Sequence, residues 1–168
     1  MQSFRDNRGR VWGLSVTVAT MKRVRALCSV DLYKVIEIED TGEPRSELLT
    51  KLYNDPILLV DVLYAVCKPE ADKLGVSDID FGEAMAGDAV DAAANALLDE
   101  LVNFFPAVKK MALEKALQAT RRFIAAKKQQ LTALLTDPEL DKRLDSELAR
   151  LDASSSNTQA SSESTPIP

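Results

Sequence analysis

Asp78-Ile79-Asp80-Phe81-Gly82 has the residue types of a cation site, with two carboxylates two apart beside a glycine. That is how a helix–loop–helix calcium loop opens. The match ends there. Counting from Asp78, the glycine falls one position early, and the twelfth position is Ala89 rather than an acid. Asp80-Phe81-Gly82 also spells the metal-binding tripeptide of protein kinases, but none of its companion motifs accompanies it. Asp88, Asp91 and Asp99 are the other carboxylates that could chelate. Asp88 and Asp91 share a helix face, near a helix N-terminus that favours acidic residues anyway. Neither group predicts a metal site, and no cofactor is expected.

Nucleophilic and acid–base chemistry has little to work with. The chain contains no histidine, which removes the commonest general base and the usual Ser–His and Cys–His pairs. Cys28 and Cys67 lack metal-ligand or redox spacing and read as small apolar residues in a reducing compartment. None of the 6 glycines falls in a phosphate-cradling or dinucleotide pattern. Lys109, Lys110, Lys115, Arg121, Arg122, Lys127 and Lys128 line a basic helix that could touch phosphates. Only Phe123 interleaves with them, and no DNA-binding motif surrounds them. The expectation is a protein that is not an enzyme, with nucleic-acid binding as a weaker alternative.

The elements that hold these residues are mostly helical. Hydrophobic residues make up 46% of the 168 positions and aromatics only 5%, so the core is expected to be Leu, Val, Ile and Ala. Phe4-Arg5-Asp6-Asn7-Arg8-Gly9-Arg10-Val11-Trp12 reads as a hairpin, with turn chemistry from Asn7 and Gly9. Trp12, Leu14, Val16 and Val18 then alternate with smaller residues along one extended face. From about Thr20 the pattern becomes helical, with Met21, Val24, Leu27 and Cys28 inward and Lys22, Arg23 and Arg25 solvated. A short turn at Val30–Tyr33, a strand at Val35–Ile38, a loop at Asp40–Pro44 and a helix from Ser46 to about Tyr53 follow.

Two helix starts are then spelled out. Asp55-Pro56 is an N-cap followed by proline at the first helical position. Ser77 is a second cap, with Asp78 and Asp80 in the first turn. The first of these helices is predicted to end at Gly75, with Pro69 inside it and a division into two helices near Lys68 left open. Asp88–Phe105 carries a stripe of Val90, Ala94, Leu97, Leu98, Leu101 and Phe105. A helix over about 107–135 places Leu113, Leu117, Thr120, Ile124, Leu131 and Leu135 on one face, and a charged helix runs on to about Leu151. The Ser-rich residues 153–168 are expected to be disordered. The predicted organisation is an N-terminal hairpin and short helix over 1–40, a helical core over 41–135, a charged helix over 136–152 and the tail.

Charge is unevenly distributed along the chain. Residues 1–30 hold six basic residues against Asp6, residues 54–103 eleven acidic residues against Lys68 and Lys73, and residues 107–128 seven basic residues against Glu114. Pairing within the fold and solvated faces account for such a pattern, as does a basic surface that meets an acidic partner. Residues 1–10 lack the apolar stretch of a secretory signal, and no apolar run reaches bilayer-spanning length. A cytoplasmic protein without a membrane segment is therefore expected.

The order of these features resembles a known family. A Phe4-x-Asp6-x-x-Gly9-Arg10-x-Trp12 start leads into Leu14-x-Val16-x-Val18 and Lys22-Arg23-Val24-Arg25. Val30-Asp31-Leu32, Asp55-Pro56 with its apolar helix, and Val76-Ser77-Asp78-x-Asp80-Phe81 follow. Over roughly residues 4–135 this is similar to phage tail assembly chaperones, small proteins encoded in tailed-phage structural gene clusters. The resemblance implies a mainly helical, non-enzymatic protein acting in the host cell cytoplasm. Its implied partners are the tape-measure protein, which it would keep soluble, and the tail tube protein that polymerises around it. A structural virion protein, either a tail or a head-completion component, is the alternative. Walls of a groove for a partner helix would come from Ile57, Leu58, Leu63 and Tyr64, or from Leu97, Leu101 and Phe105, unless these form the domain's own core.

Overall fold

A computed structural model describes residues 1–39 and 44–156. Among the described residues the fold is mainly α, with an N-terminal hairpin. The chain divides into two compact units, Met1–Ala119 and Thr120–Pro168. The hairpin therefore shares its unit with the helices that follow, and the boundary falls inside a helix rather than at residue 40 or 135.

In the first unit, β1 (Gln2–Arg5) pairs antiparallel with β2 (Val11–Leu14), placing Phe4 opposite Trp12. The loop between them is tied by Asp6, which is buried although ionisable. Its carboxylate accepts from the Trp12 indole Nε1 at 2.9 Å, the Arg10 Nε at 2.6 Å, and the backbone N–H groups of Arg8 and Arg10 at 3.0 and 2.9 Å. Gly9 takes the positive φ (81°) that lets the loop close. The extended alternation ends earlier than its pattern implies. Val18 is the first residue of α1 (Val18–Cys28), capped by the Thr17 hydroxyl, and is exposed. Leu27 is also exposed, while Thr20 replaces it in the buried face and donates to the Ser15 carbonyl at 2.8 Å.

A 3₁₀ turn at Leu32–Lys34 is capped by Asp31, and Val35 and Ile36 behind it are fully buried. The strand expected over 35–38 narrows to β3 (Glu37–Ile38), paired with β4 (Pro44–Arg45). Within the expected loop, residues 40–43 lie outside the described residues. The helix α2 (Glu47–Asn54) buries Leu49 and Leu52.

The central element is α3 (Pro56–Leu74), which packs against α1, α2, β2, α4 (Asp78–Glu83) and α5 (Asp88–Phe104). It is one helix despite Pro69. Proline lacks the N–H that would bond the carbonyl four residues back, which is that of Ala65. Arg23 takes that place, its Nε donating to the Ala65 carbonyl at 2.6 Å and its Nη2 to that of Val66 at 3.0 Å. Arg23 is thus half-buried rather than solvated. Gly75 ends the helix in the left-handed conformation (φ 64°).

Ser77 and Asp80 cap α4 reciprocally, and this helix start delivers Phe81 into the core. Phe81 meets Trp12, Tyr64 and Phe4 at centroid distances of 5.0, 5.6 and 6.4 Å with steep interplanar angles, within the range in which aromatic edges and faces attract. The hairpin loop clasps the same region. Asn7 N–H donates to the Ala84 carbonyl at 3.0 Å, and Arg8 pairs with Glu83 at 2.6 Å. At the other end of the hairpin, the Gln2 N–H donates to Glu100 on α5 at 3.0 Å.

The long helix α6 (Ala107–Leu135) buries Leu113 and Leu117. The rest of its expected apolar face is not buried, as Ile124, Leu131 and Leu135 are exposed. In the second unit, α7 (Pro138–Ser156) reaches Ser156, beyond the expected end near 151 and into the stretch expected to be disordered. The remainder of that stretch, 157–168, lies outside the described residues.

Candidate functional site: an acid-rimmed apolar groove

The seven residues proposed as groove walls separate by depth. Leu63, Leu97 and Leu101 are fully buried and Phe105 nearly so; they belong to the core and cannot meet a partner. Tyr64 is half-buried, its ring against Phe81 and its hydroxyl donating to the Val76 carbonyl at 3.4 Å. Leu58 packs against the core and borders a shallow polar depression with Lys34, Glu37 and Lys51. Ile57 alone stands out into solvent, at 75% exposure.

Ile57 forms one wall of a groove of about 430 Å³. The first turns of α3 supply Pro56, Ile57 and Val60. The α4 helix supplies Ile79, itself 70% exposed, and the floor is completed by Gly82, Met85 and Val90. Local sequence places these walls. Both helices start at strong caps, so Ile57 and Ile79 occupy corresponding first-turn positions, pointing away from the faces that bury Leu59 and Phe81. Asp61 and Asp78 form the polar margin, and Asp55, Asp88 and Asp91 lie on the adjoining turns of α3 and α5. Among the described residues no cation lines the groove. The arrangement suits the apolar face of an amphipathic helix whose flanks carry positive charge.

Val60, Ile79 and Met85 are absent from the groove walls that the sequence proposes, and Val90 enters there only in the α5 stripe. Ile79 shares with Ile57 the one available signal, an apolar residue at a solvent-facing position of a capped first turn, whereas Val60 and Val90 are half-buried and Met85 is buried. A second apolar depression, of about 380 Å³, lies between β3–β4 and α6, lined by Ile38, Pro44, Val108, Met111, Ala112 and Lys115.

The groups with chemical potential are engaged in structure. Cys67 is buried, and that burial, aided by the charge of Glu70, pushes its thiol up to about 12, away from the reactive thiolate. Burial likewise raises the Cys28 thiol, whose Sγ lies 3.4 Å from the Asp61 carbonyl. Glu70 accepts from the Gly13 N–H at 3.1 Å. Hydrogen bonds from the Ser77 side chain and backbone lower the Asp80 carboxyl below the ordinary range. Among the described residues no three His, Cys, Asp or Glu side chains cluster so as to hold a metal ion, and no helix is long and apolar enough to cross a membrane. Asp78 and Asp80 lie in the first turn of α4, and Asp78 also borders the groove. No family model, curated protein or solved structure matches this chain.

Proposed function

We propose that this protein is a phage tail assembly chaperone that binds the tape-measure protein and holds it in solution during tail morphogenesis, in the host cell cytoplasm. The observation that carries the proposal is the groove in which Ile57 and Ile79 stand exposed beside half-buried Val60, between Asp61 and Asp78. The resemblance in residue order supplies the client. A tape-measure protein presents long amphipathic helices that aggregate when bare, and a groove of this chemistry covers the apolar face of such a helix while its carboxylates meet the flanking cations.

Co-expression tests this directly. The tape-measure protein is expected to move from the pellet to the supernatant when this chain is present, and to return to the pellet with the Ile57→Asp/Ile79→Asp variant. Both side chains are largely solvent-exposed, so the variant is expected to keep its fold. Unchanged client solubility with the wild-type chain would remove the proposal. Mass spectrometry of purified virions separates it from the alternative. A chaperone is absent from finished particles, whereas stoichiometric copies there would identify a structural tail or head-completion component.

A further inference from the structure

The described residues of the second unit carry apolar stripes that none of them buries. Among the described residues from 121 to 151 none is buried. On α6, Ile124, Leu131 and Leu135 are 41, 56 and 69% exposed, at spacings of seven and four that align them on one face. On α7, Leu144 and Leu148 are 54 and 59% exposed, one turn apart. Helices in proteins gain most of their stability by packing such a face rather than from propensity. Contiguous exposed apolar surface of this kind marks an interface.

The charges on the two helices identify the occupant. From Lys115 to Thr136 the chain has no acidic residue, and Arg121, Arg122, Lys127 and Lys128 make this half of α6 basic. On α7, Lys142 and Arg150 are each paired along their own helix, to Glu139 at 3.7 Å and Glu147 at 3.5 Å. By sequence α7 is acidic, with Glu139, Asp141, Asp145, Glu147 and Asp152 against Lys142, Arg143 and Arg150. One chain thus carries a basic apolar helix and its acidic apolar complement, while both stripes lie exposed within that chain.

We infer that residues 120–156 are the face through which two copies of this protein associate. The basic half of α6 in one copy lies on α7 of its partner, and a two-fold axis makes the second contact the same as the first. Ile124, Leu131 and Leu135 pack on Leu144 and Leu148, and Lys127 and Lys128 oppose Asp145 and its neighbours. The association needs no client.

Sedimentation velocity of the full chain, from about 1 to about 100 μM, reads the result. A dimer is expected, weakening by about tenfold or more as salt screens the charge pairs. Leu131→Asp/Leu144→Asp is expected to raise the dissociation constant at least about 100-fold, by placing a charge where apolar area was buried. The near-ultraviolet signal of Trp12, the sole tryptophan, is expected to stay unchanged, showing that the first unit remains folded.

A charge swap tests the pairing itself. Lys127→Glu/Lys128→Glu sets two acids of α6 against Asp145 and Glu147 of α7, and Asp145→Lys/Glu147→Lys sets two cations of α7 against Lys127 and Lys128. Each variant is expected to be monomeric alone, and the two are expected to dimerise when mixed. Wild-type protein that stays monomeric throughout, a dimer that survives Leu131→Asp/Leu144→Asp, or a mixture that does not associate would each overturn the inference.

Discussion

Leu97 and Leu101 in the first unit and Ile124 and Leu131 in the second follow the same helical periodicity, yet the first pair is fully buried and the second exposed. The difference lies in what the rest of the chain delivers. Around α5 the fold brings β1, β2 and α3, so its stripe closes into a core. The α6 stripe has a comparable pattern and loses its burial after Leu117. Periodicity states that a face must be covered; it does not state which element covers it, or in which molecule.

The largest expected effect that probes this difference is in amide hydrogen exchange. In dilute solution, amides at the centre of α3 are expected to exchange at least about ten thousand times more slowly than those of residues 124–148, because the former open only with the whole unit. If copies associate, protection in 124–148 rises with protein concentration while that of α3 does not. Uniform protection across both units would break the comparison.

Phenylalanine substitutions come next. Phe81 is fully buried among three other aromatic rings, whereas Phe123 is 64% exposed. Phe81→Ala is expected to cost about 3–5 kcal/mol by denaturant titration, from lost burial and the cavity left behind. Phe123→Ala, measured at a dilution that keeps copies apart, is expected to stay within about 0.5 kcal/mol.

Asp6 tests the first unit by pH. Burial alone would raise its pKa, but hydrogen bonds from Trp12 and Arg10 outweigh that and hold the carboxyl below its ordinary value. A carboxyl depressed on folding contributes stability that is complete above the unfolded value of about 4. The contribution is lost as pH falls through the lower folded-state value. Asp6→Asn is expected to cost about 2–3 kcal/mol at neutral pH, chiefly by weakening bonds to a buried indole and a half-buried guanidinium. Its stability is also expected to fall less steeply on acidification than that of the wild type, as seen in urea midpoints from pH 7 to about pH 3.

The smallest effect concerns Arg23. Arg23→Ala leaves the Ala65 carbonyl without the donor that Pro69 fails to supply, at an expected cost of about 1–2 kcal/mol. In a Pro69→Ala background the helix regains its own N–H donor there, and the same change is expected to cost about 1 kcal/mol less. Equal costs in the two backgrounds would show that Arg23 acts elsewhere.

These residues also mark how far the sequence could be read. Features dictated within four or five residues were legible: the Asp55-Pro56 and Ser77 helix starts, the stop at Gly75, the hairpin turn and the core role of Phe81. The end of the extended stretch was not, because Val18 continues the alternation while Thr17 caps a helix. Arg23 looked solvated because its reason for burial, a carbonyl freed by proline, lies 42 residues further along. The groove was visible only through Ile57. Its other walls come from two more helices whose apposition depends on the hairpin loop clasping α4, a contact between segments more than 70 residues apart. The depth of Leu63, Leu97, Leu101 and Phe105 was undetermined for a related reason, since core and groove use the same residue types.

The clasp between hairpin and α4 has a consequence for synthesis. Phe4, Asp6 and Trp12 leave the ribosome well before the groups that hold them, since Phe81, Glu83 and Ala84 follow some seventy residues later and Glu100 later still. Leu113 and Leu117, which complete the core, come last. Contacts so distant in sequence cannot begin to form until both ends exist. The nascent chain therefore carries an uncovered tryptophan and phenylalanine while the next seventy or so residues are made, and the hairpin is secured well after its own synthesis.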